Sequence, residues 1–189
     1  MNRPYIICHM VTSADGKVTG DFLSDSACAA ACEIYYDINR SLQADGFICG
    51  RVTMEGSFTG GYRPDLSQYL PTHRDGAKTD FLPADAMTGF YAVAFDPKGK
   101  LGWKSNRIID PDGDPGYDNA QIIEVLTEQA DDRYTSYLES MGIPYLFAGE
   151  TEIDVSLALH KLHTLVGCST LLLEGGSIVN GYLDRKSVV

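Results

Sequence analysis

The sequence predicts an α/β domain whose largely parallel central sheet carries helices on its faces. Three observations point there. Short, unbroken apolar runs recur along the chain, as expected of strands buried on both sides. Stretches of helical periodicity alternate with those runs from one end of the sequence to the other. Glycine stands where several of the runs end, the place where an open α/β sheet turns from strand to helix.

Residues 5–12, YIICHMVT, read as a buried first strand, and SADGK at 13–17 as a turn. A helix is expected over 23–42, where Ser24 or Asp25 can cap it and Ala27, Ala30, Ala31, Ile34, Tyr35 and Ile38 repeat at helical spacing. GFICG, 46–50, is a second short strand, and RVTMEGSF, 51–58, opens a short helix. Residues 59–89 are rich in Gly, Pro, Asp and Thr and read as a long surface excursion. A third strand falls at 89–96, followed by a turn-rich stretch over 97–119. AQIIEVLT, 120–127, is a fourth strand and 129–142 a helix closed by Gly142. IPYLFAG, 143–149, is a fifth strand, 154–167 a helix closed by Gly167, and STLLLE, 169–174, a sixth strand. GSIVNGYLD, 176–184, begins one more helix. With no repeat or internal boundary, residues 1–189 read as one domain. RKSVV at the end resembles the start of a further strand, so we expect truncation at the C-terminus.

Composition narrows the classes of partner. Acidic residues outnumber basic ones 26 to 15, a net charge of −11. Such a surface repels nucleic acid and anionic membranes, so any bound anion must be held by local dipoles and a few cations. No stretch approaches the roughly 20 apolar residues of a membrane span, and no signal peptide is visible. Cys8, Cys28, Cys32, Cys49 and Cys168 form no C-x-x-C motif and read as free thiols of a cytoplasmic protein. No metal is expected: Cys28 and Cys32 share a helix face with no His to complete a set, and His160 and His163 have no third ligand in view.

The corners hold the candidate chemistry. In LLLEGGS an apolar strand delivers Glu174, and then Gly175, Gly176 and Ser177 place bare backbone and a hydroxyl at a helix start, a generic anion site. FICGRVT repeats the design with Gly50, Arg51 and Thr53. A third corner ends at Gly149. Several such corners on one sheet suit an extended ligand such as a dinucleotide, although neither G-x-G-x-x-G nor a P-loop occurs. TSADGK offers Ser13, Asp15 and Lys17 after the first strand, either as a plain turn or facing a substrate. Glu33 and Asp37 lie four apart on the long helix, and Trp103 reads as a packing residue.

SADGK after the first strand, GRVT after the second and LLLEGG after the last resemble the C-terminal reductase domain of the bacterial riboflavin-biosynthesis deaminase-reductase, RibD, over nearly the whole chain. The resemblance implies a dihydrofolate reductase-like fold, three-layered α/β/α, with a mixed, mostly parallel sheet of eight or nine strands. It implies an NADPH-dependent oxidoreductase, usually a homodimer, that transfers hydride to a small-molecule nitrogen heterocycle or its ribosyl derivative. By matching position, Gly50, Arg51, Thr53, Gly149, Glu174, Gly175, Gly176 and Ser177 would serve the cofactor. Ser13, Asp15 and Lys17 would face the substrate, with Asp15 orienting it. The chain departs from the family pattern at NRSLQADG and EGSFTGGYRPDLS, positions that would hold a phosphoribosyl group. A non-catalytic nucleotide-binding protein that kept the corners is the alternative.

Overall fold

The computed structural model describes residues 2–18, 20–71, 78–87, 89–111 and 113–175. Among these, six strands form one sheet: β1 (Tyr5–Cys8), β2 (Gly46–Gly50), β3 (Tyr91–Phe95), β4 (Gln121–Leu126), β5 (Tyr145–Phe147) and β6 (Thr170–Gly175). Their order is β1-β6-β2-β3-β4-β5, and every neighbouring pair is parallel. The mixed character expected of the sheet is confined, among the described residues, to isolated antiparallel bridges at Phe81–Tyr145 and Arg107–Gln121. The helix expected over 176–184 and the strand-like RKSVV lie outside the described residues.

β2, β3 and β4 are buried throughout, which is why their sequences are unbroken apolar runs rather than alternating ones. β1 lies at an edge, with Tyr5 71% exposed. It stops at Cys8, after which the His9 N–H still donates to the Leu173 carbonyl oxygen at 3.0 Å and its side chain turns inwards. The helices are α1 (Ala29–Ser41), α2 (Arg51–Met54), α3 (Asp132–Ser140) and α4 (Val155–Lys161). The long N-terminal helix begins later than its periodicity predicts because Asp25 caps a separate 3-10 turn, accepting from the Ala27 N–H at 2.9 Å. Asp131 and Asp154 cap α3 and α4 through their side chains. π-type turns at Glu55–Thr59 and Leu162–Val166 extend α2 and α4, each ending at a left-handed glycine.

Two apolar clusters flank the sheet. On one face α3 packs Tyr134, Tyr137 and Leu138 with Phe47, Ala94, Ile122 and Met54. On the other, Val155, Ala158 and Leu159 of α4 cover Ile48, Val93, Ile123 and Leu171. This is the three-layer α/β/α arrangement. Trp103 is a packing residue, 4% exposed, and its indole N–H donates to Glu124 Oε1. Tyr134 donates to the same oxygen at 3.2 Å, while Oε2 has no partner. Complete burial, and then the charge of Asp96, hold the Glu124 carboxyl well above its ordinary value of 4.5.

Gly46 faces its register partner Tyr91 so closely that a Cβ would meet the Tyr91 carbonyl oxygen at 2.3 Å. Gly46→Ala should lower stability by about 1–3 kcal/mol in urea unfolding. Gly56→Ala, where a Cβ would meet nothing within 4 Å, should change it by less than about 0.5 kcal/mol. A second outcome concerns pH. The folded protein binds the Glu124 proton more tightly than the unfolded chain does. This contribution to stability is therefore complete below about pH 4.5 and is lost as pH rises towards the folded-state value. The stability of Glu124→Gln relative to the parent should grow between pH 5 and pH 8, by at most about 1.4 kcal/mol per pH unit. A difference that stays constant over that range would show that no proton is retained.

Candidate functional site

Because β6 lies between β1 and β2, its C-terminal end brings Glu174 beside the end of each. Parallel strands open their carboxyl ends on one edge, where open α/β sheets bind ligands. Glu174 is 9% exposed, and two buried side chains converge on its Oε1. Asn39, the one buried residue of α1, donates from Nδ2 at 2.7 Å. His9 Nδ1 lies 2.8 Å away. The His9 ring stacks on Tyr35 with centroids 4.0 Å apart and planes 6° from parallel. The Asn39 amide also reaches the Tyr117 hydroxyl at 3.4 Å, and that hydroxyl lies 3.4 Å from the Tyr35 hydroxyl.

Beside them lies a cavity of about 400 Å³ whose walls include Tyr35, Tyr36, Phe47, Phe58 and Tyr117, with Glu174 at one side. Burial, and then the negative charge of Glu174, push both the Tyr35 and the Tyr117 phenols far above their ordinary value. Both stay neutral and serve as hydrogen-bonding hydroxyls. The Cys49 thiol, which also lines the cavity, is raised by the same two causes. All five cysteines are free, as their spacing predicts.

The corners of β2 and β6 meet beside this cavity. A Cβ on Gly175 would lie 2.9 Å from both Thr53 Oγ1 and Thr53 Cγ2, so the glycine is required by close packing. Gly50 is the residue preceding α2 and is extended, with φ −76° and ψ 160°. Arg51 pairs with Glu55, which also receives Arg63. The Arg63 hydrogen bond first, then both positive charges, hold the Glu55 carboxyl below its ordinary value. Two guanidinium groups thus share the Glu55 carboxylate, and Arg51 also lies near the carboxyl of Asp96.

Other sequence-predicted residues sit elsewhere. Ser13 donates to Asp15, and Lys17 Nζ lies 2.9 Å from Asp15, all within one surface turn. That hydrogen bond and the Lys17 contact lower the Asp15 carboxyl. None of the three lines the cavity. Gly149 follows β5 at the far edge of the sheet; its φ of +107° serves a turn in which a Cβ would strike the Glu152 carbonyl oxygen at 2.1 Å. Gly176 and Ser177 lie outside the described residues. Asp37 is bound by Arg40, whereas exposed Glu33 borders the cavity. His160 and His163 contact the carbonyl oxygens of Asn2 and Cys168 at 3.2 and 2.8 Å. Among the described residues no group of three or more potential ligands could hold a metal, and no helix is long and apolar enough to cross a membrane.

Sequence reasoning missed His9, Asn39 and Tyr117. Polar residues sitting where apolar periodicity demands burial were the available signal: His9 interrupts the first apolar run, and Asn39 lies one helical turn after Tyr35.

Fold and site together define an α/β domain with a ligand crevice at the strand tips. Solved structures share this architecture over the full length of the chain. A pyrimidine reductase-like protein from Corynebacterium diphtheriae matches with a TM-score of 0.59 and 15% identity, covering 100% of this chain and 72% of that one. The riboflavin biosynthesis reductase Rib7 of Saccharomyces cerevisiae matches with a TM-score of 0.60 and 13% identity, covering 100% and 70%. RibD of Acinetobacter baumannii gives 0.51 and 14%, covering 100% of this chain and 44% of that one. The chain thus has the fold of the RibD-type reductases. No family model matches it, and no curated protein does.

Asn39→Leu would strip Glu174 of a buried donor and should cost about 1.5–3 kcal/mol. Combined with Glu174→Gln, the two losses should fall short of additive by more than about 0.5 kcal/mol in a double-mutant cycle. Strict additivity would mean that the contact carries no energy.

Proposed function

We propose that the protein is an NADPH-dependent reductase acting on a small nitrogen heterocycle. One observation carries this reading. The interlocked corners at Thr53 and Gly175, the cationic group around Arg51 and the Glu174 cavity are contiguous at one sheet edge. An extended anionic cofactor beside a compact aromatic pocket is what such an edge accommodates. The solved structures of the same fold support it, since those named above are called reductases or belong to riboflavin biosynthesis.

The residues present fit the cofactor. Arg51 and Arg63 supply the positive charge a phosphate needs, beside the buried corner where Gly50 ends β2 and Gly175 packs on Thr53. Thr53, seated on Gly175, offers a hydroxyl at the same junction. Gly176 and Ser177 complete the proposed cofactor set by position in the sequence. When bound, NADPH would supply the hydride; the chain's own part is positioning and exclusion of water. Tyr35, Tyr117 and Phe47 would hold a planar ring, and Glu174, fixed by His9 and Asn39, would orient it. We transfer the substrate-orienting role from Asp15 to Glu174, because Asp15 is satisfied by Ser13 and Lys17 on the surface. A homodimer in the cytoplasm accords with this reading.

Titration of NADPH against the protein, followed by nicotinamide fluorescence, should show saturable binding. Arg51→Ala should weaken it about tenfold or more. Oxidation of NADPH at 340 nm should follow when a suitable pteridine or pyrimidine is added. Absence of cofactor binding would overturn the assignment. Binding without turnover across the panel would favour a nucleotide-binding protein instead.

A further inference from the structure

A second cavity, of about 210 Å³, lies beyond Phe58, which also lines the first. Its walls include Trp103 and Ile108, and its polar groups include Lys104, Ser105 and Arg107. The two cavities are opposite in charge. Among the described residues lining the first, Glu33, Asp110, Asp114 and Glu174 are acidic and none is Lys or Arg. Among those lining the second, none is acidic.

Lys104 and Arg107 are uncommitted cations. Lys17, Arg40, Arg51, Arg63, Lys78 and Lys161 each pair with a carboxylate. Lys104 and Arg107 form no ion pair among the described residues. Lys104 Nζ lies 5.2 Å from the centroid of the Tyr62 ring, and Arg107 donates from Nη1 to the Asn119 carbonyl oxygen at 2.9 Å. Neither contact cancels a charge. Lys104 is exposed, and Ser105 and Arg107 are half-buried, so a ligand arriving from solvent can reach all three.

The site is also held in shape by its surroundings. Arg107 and Gln121 form an antiparallel bridge, and the Arg107 N–H donates to Ser105 Oγ at 3.1 Å. The Trp103 N–H donates to the Tyr137 hydroxyl at 2.6 Å, and its indole to buried Glu124. A Cβ on Gly102 would meet the Tyr62 carbonyl oxygen at 2.1 Å, so close packing locks those two segments together beneath Lys104. Groups fixed in advance lose little freedom when a ligand binds.

Two cations beside aromatic and aliphatic walls suit an anion of mixed character. A carboxylate accepts from the guanidinium fork and the ammonium, and an apolar body behind it covers Phe58 and Ile108. Inorganic phosphate gains from the charges but not from the walls, and loses more hydration. We propose that this second cavity binds a small organic carboxylate through Lys104 and Arg107, at a site separate from the strand-tip crevice. It goes beyond the reductase reading, which gives none of these residues a role.

Calorimetric titration of the protein with benzoate, benzamide and inorganic phosphate tests it. Benzoate should bind saturably at one site, about tenfold or more tighter than either of the others. Trp103 is the one tryptophan of the chain, so its emission should change with the same midpoint. Arg107→Gln should weaken benzoate about tenfold and Lys104→Gln about threefold. Lys98→Gln, which removes a cation that does not line the cavity, should leave benzoate binding unaltered. If Arg107→Gln does not fold, the exposed Lys104 still decides. Equal binding of benzamide, equal or tighter binding of phosphate, benzoate binding that survives both cavity substitutions, or no binding of any probe overturns the proposal. Displacement of benzoate by NADPH also overturns it, since these cations would then belong to the cofactor.

Discussion

A carboxylate buried between two strands is the constraint on which the site depends. Glu174 is tolerated in the interior because Asn39 and His9 converge on one of its oxygens. Each of those partners is in turn fixed by something else. Asn39 is the single buried residue of its helix, so the contact ties α1 to the sheet. His9 is pinned by its stack on Tyr35, which belongs to the same helix. Were Glu174 removed, α1 would lose the partner of its one buried residue and keep the Tyr35–His9 stack, the Tyr36–Tyr117 ring contact and the Arg40–Asp114 ion pair. Ile34 and Ile38, 59% and 43% exposed, add little, so polar and aromatic contacts together position the helix that walls the cavity.

The interior holds a second acid of a different kind. Glu124 is sealed by Trp103 and Tyr134 on the far side of β2 and β3, and the sequence around it is apolar. Its neighbour Asp96 is raised by burial too, though its Oδ2 accepts the Leu101 N–H at 2.7 Å and so shapes the turn after β3. The two buried acids differ in consequence. Glu174 is met by side-chain donors and opens on a cavity; Glu124 is met by an indole and a phenol and opens on nothing. Environment, rather than residue type, separates the two.

Much of the fold was legible because the local signals agree with one another. GFICG and STLLLE are unbroken apolar runs, and they became β2 and β6 nearly residue for residue. Helix ends were less so. Asp25 diverts the chain into a 3-10 turn before α1, and α4 loosens into a π-type turn after Lys161. Of the candidate site, Gly50, Arg51, Thr53, Glu174 and Gly175 stood out because bare backbone and charge at strand ends are local features, and the fold brings them to one edge. His9, Asn39 and Tyr117 did not. Their roles arise from pairing across more than a hundred residues of sequence, or from Tyr117 folding back on α1, and no periodicity encodes that. Ser13, Asp15 and Lys17 look like a functional cluster in the sequence, yet their short spacing lets them satisfy each other.

The place of β6 has a consequence for synthesis. The gap between β1 and β2 is filled by a strand that emerges from the ribosome more than a hundred residues after both. Until it arrives, β1 lacks the strand it pairs with among the described residues. A nascent chain can assemble β2 to β5 early, but its cavity lacks Glu174 and the strand that carries it. The crevice at the strand tips therefore forms late and all at once, and a polypeptide interrupted before β6 lacks the central strand that borders it.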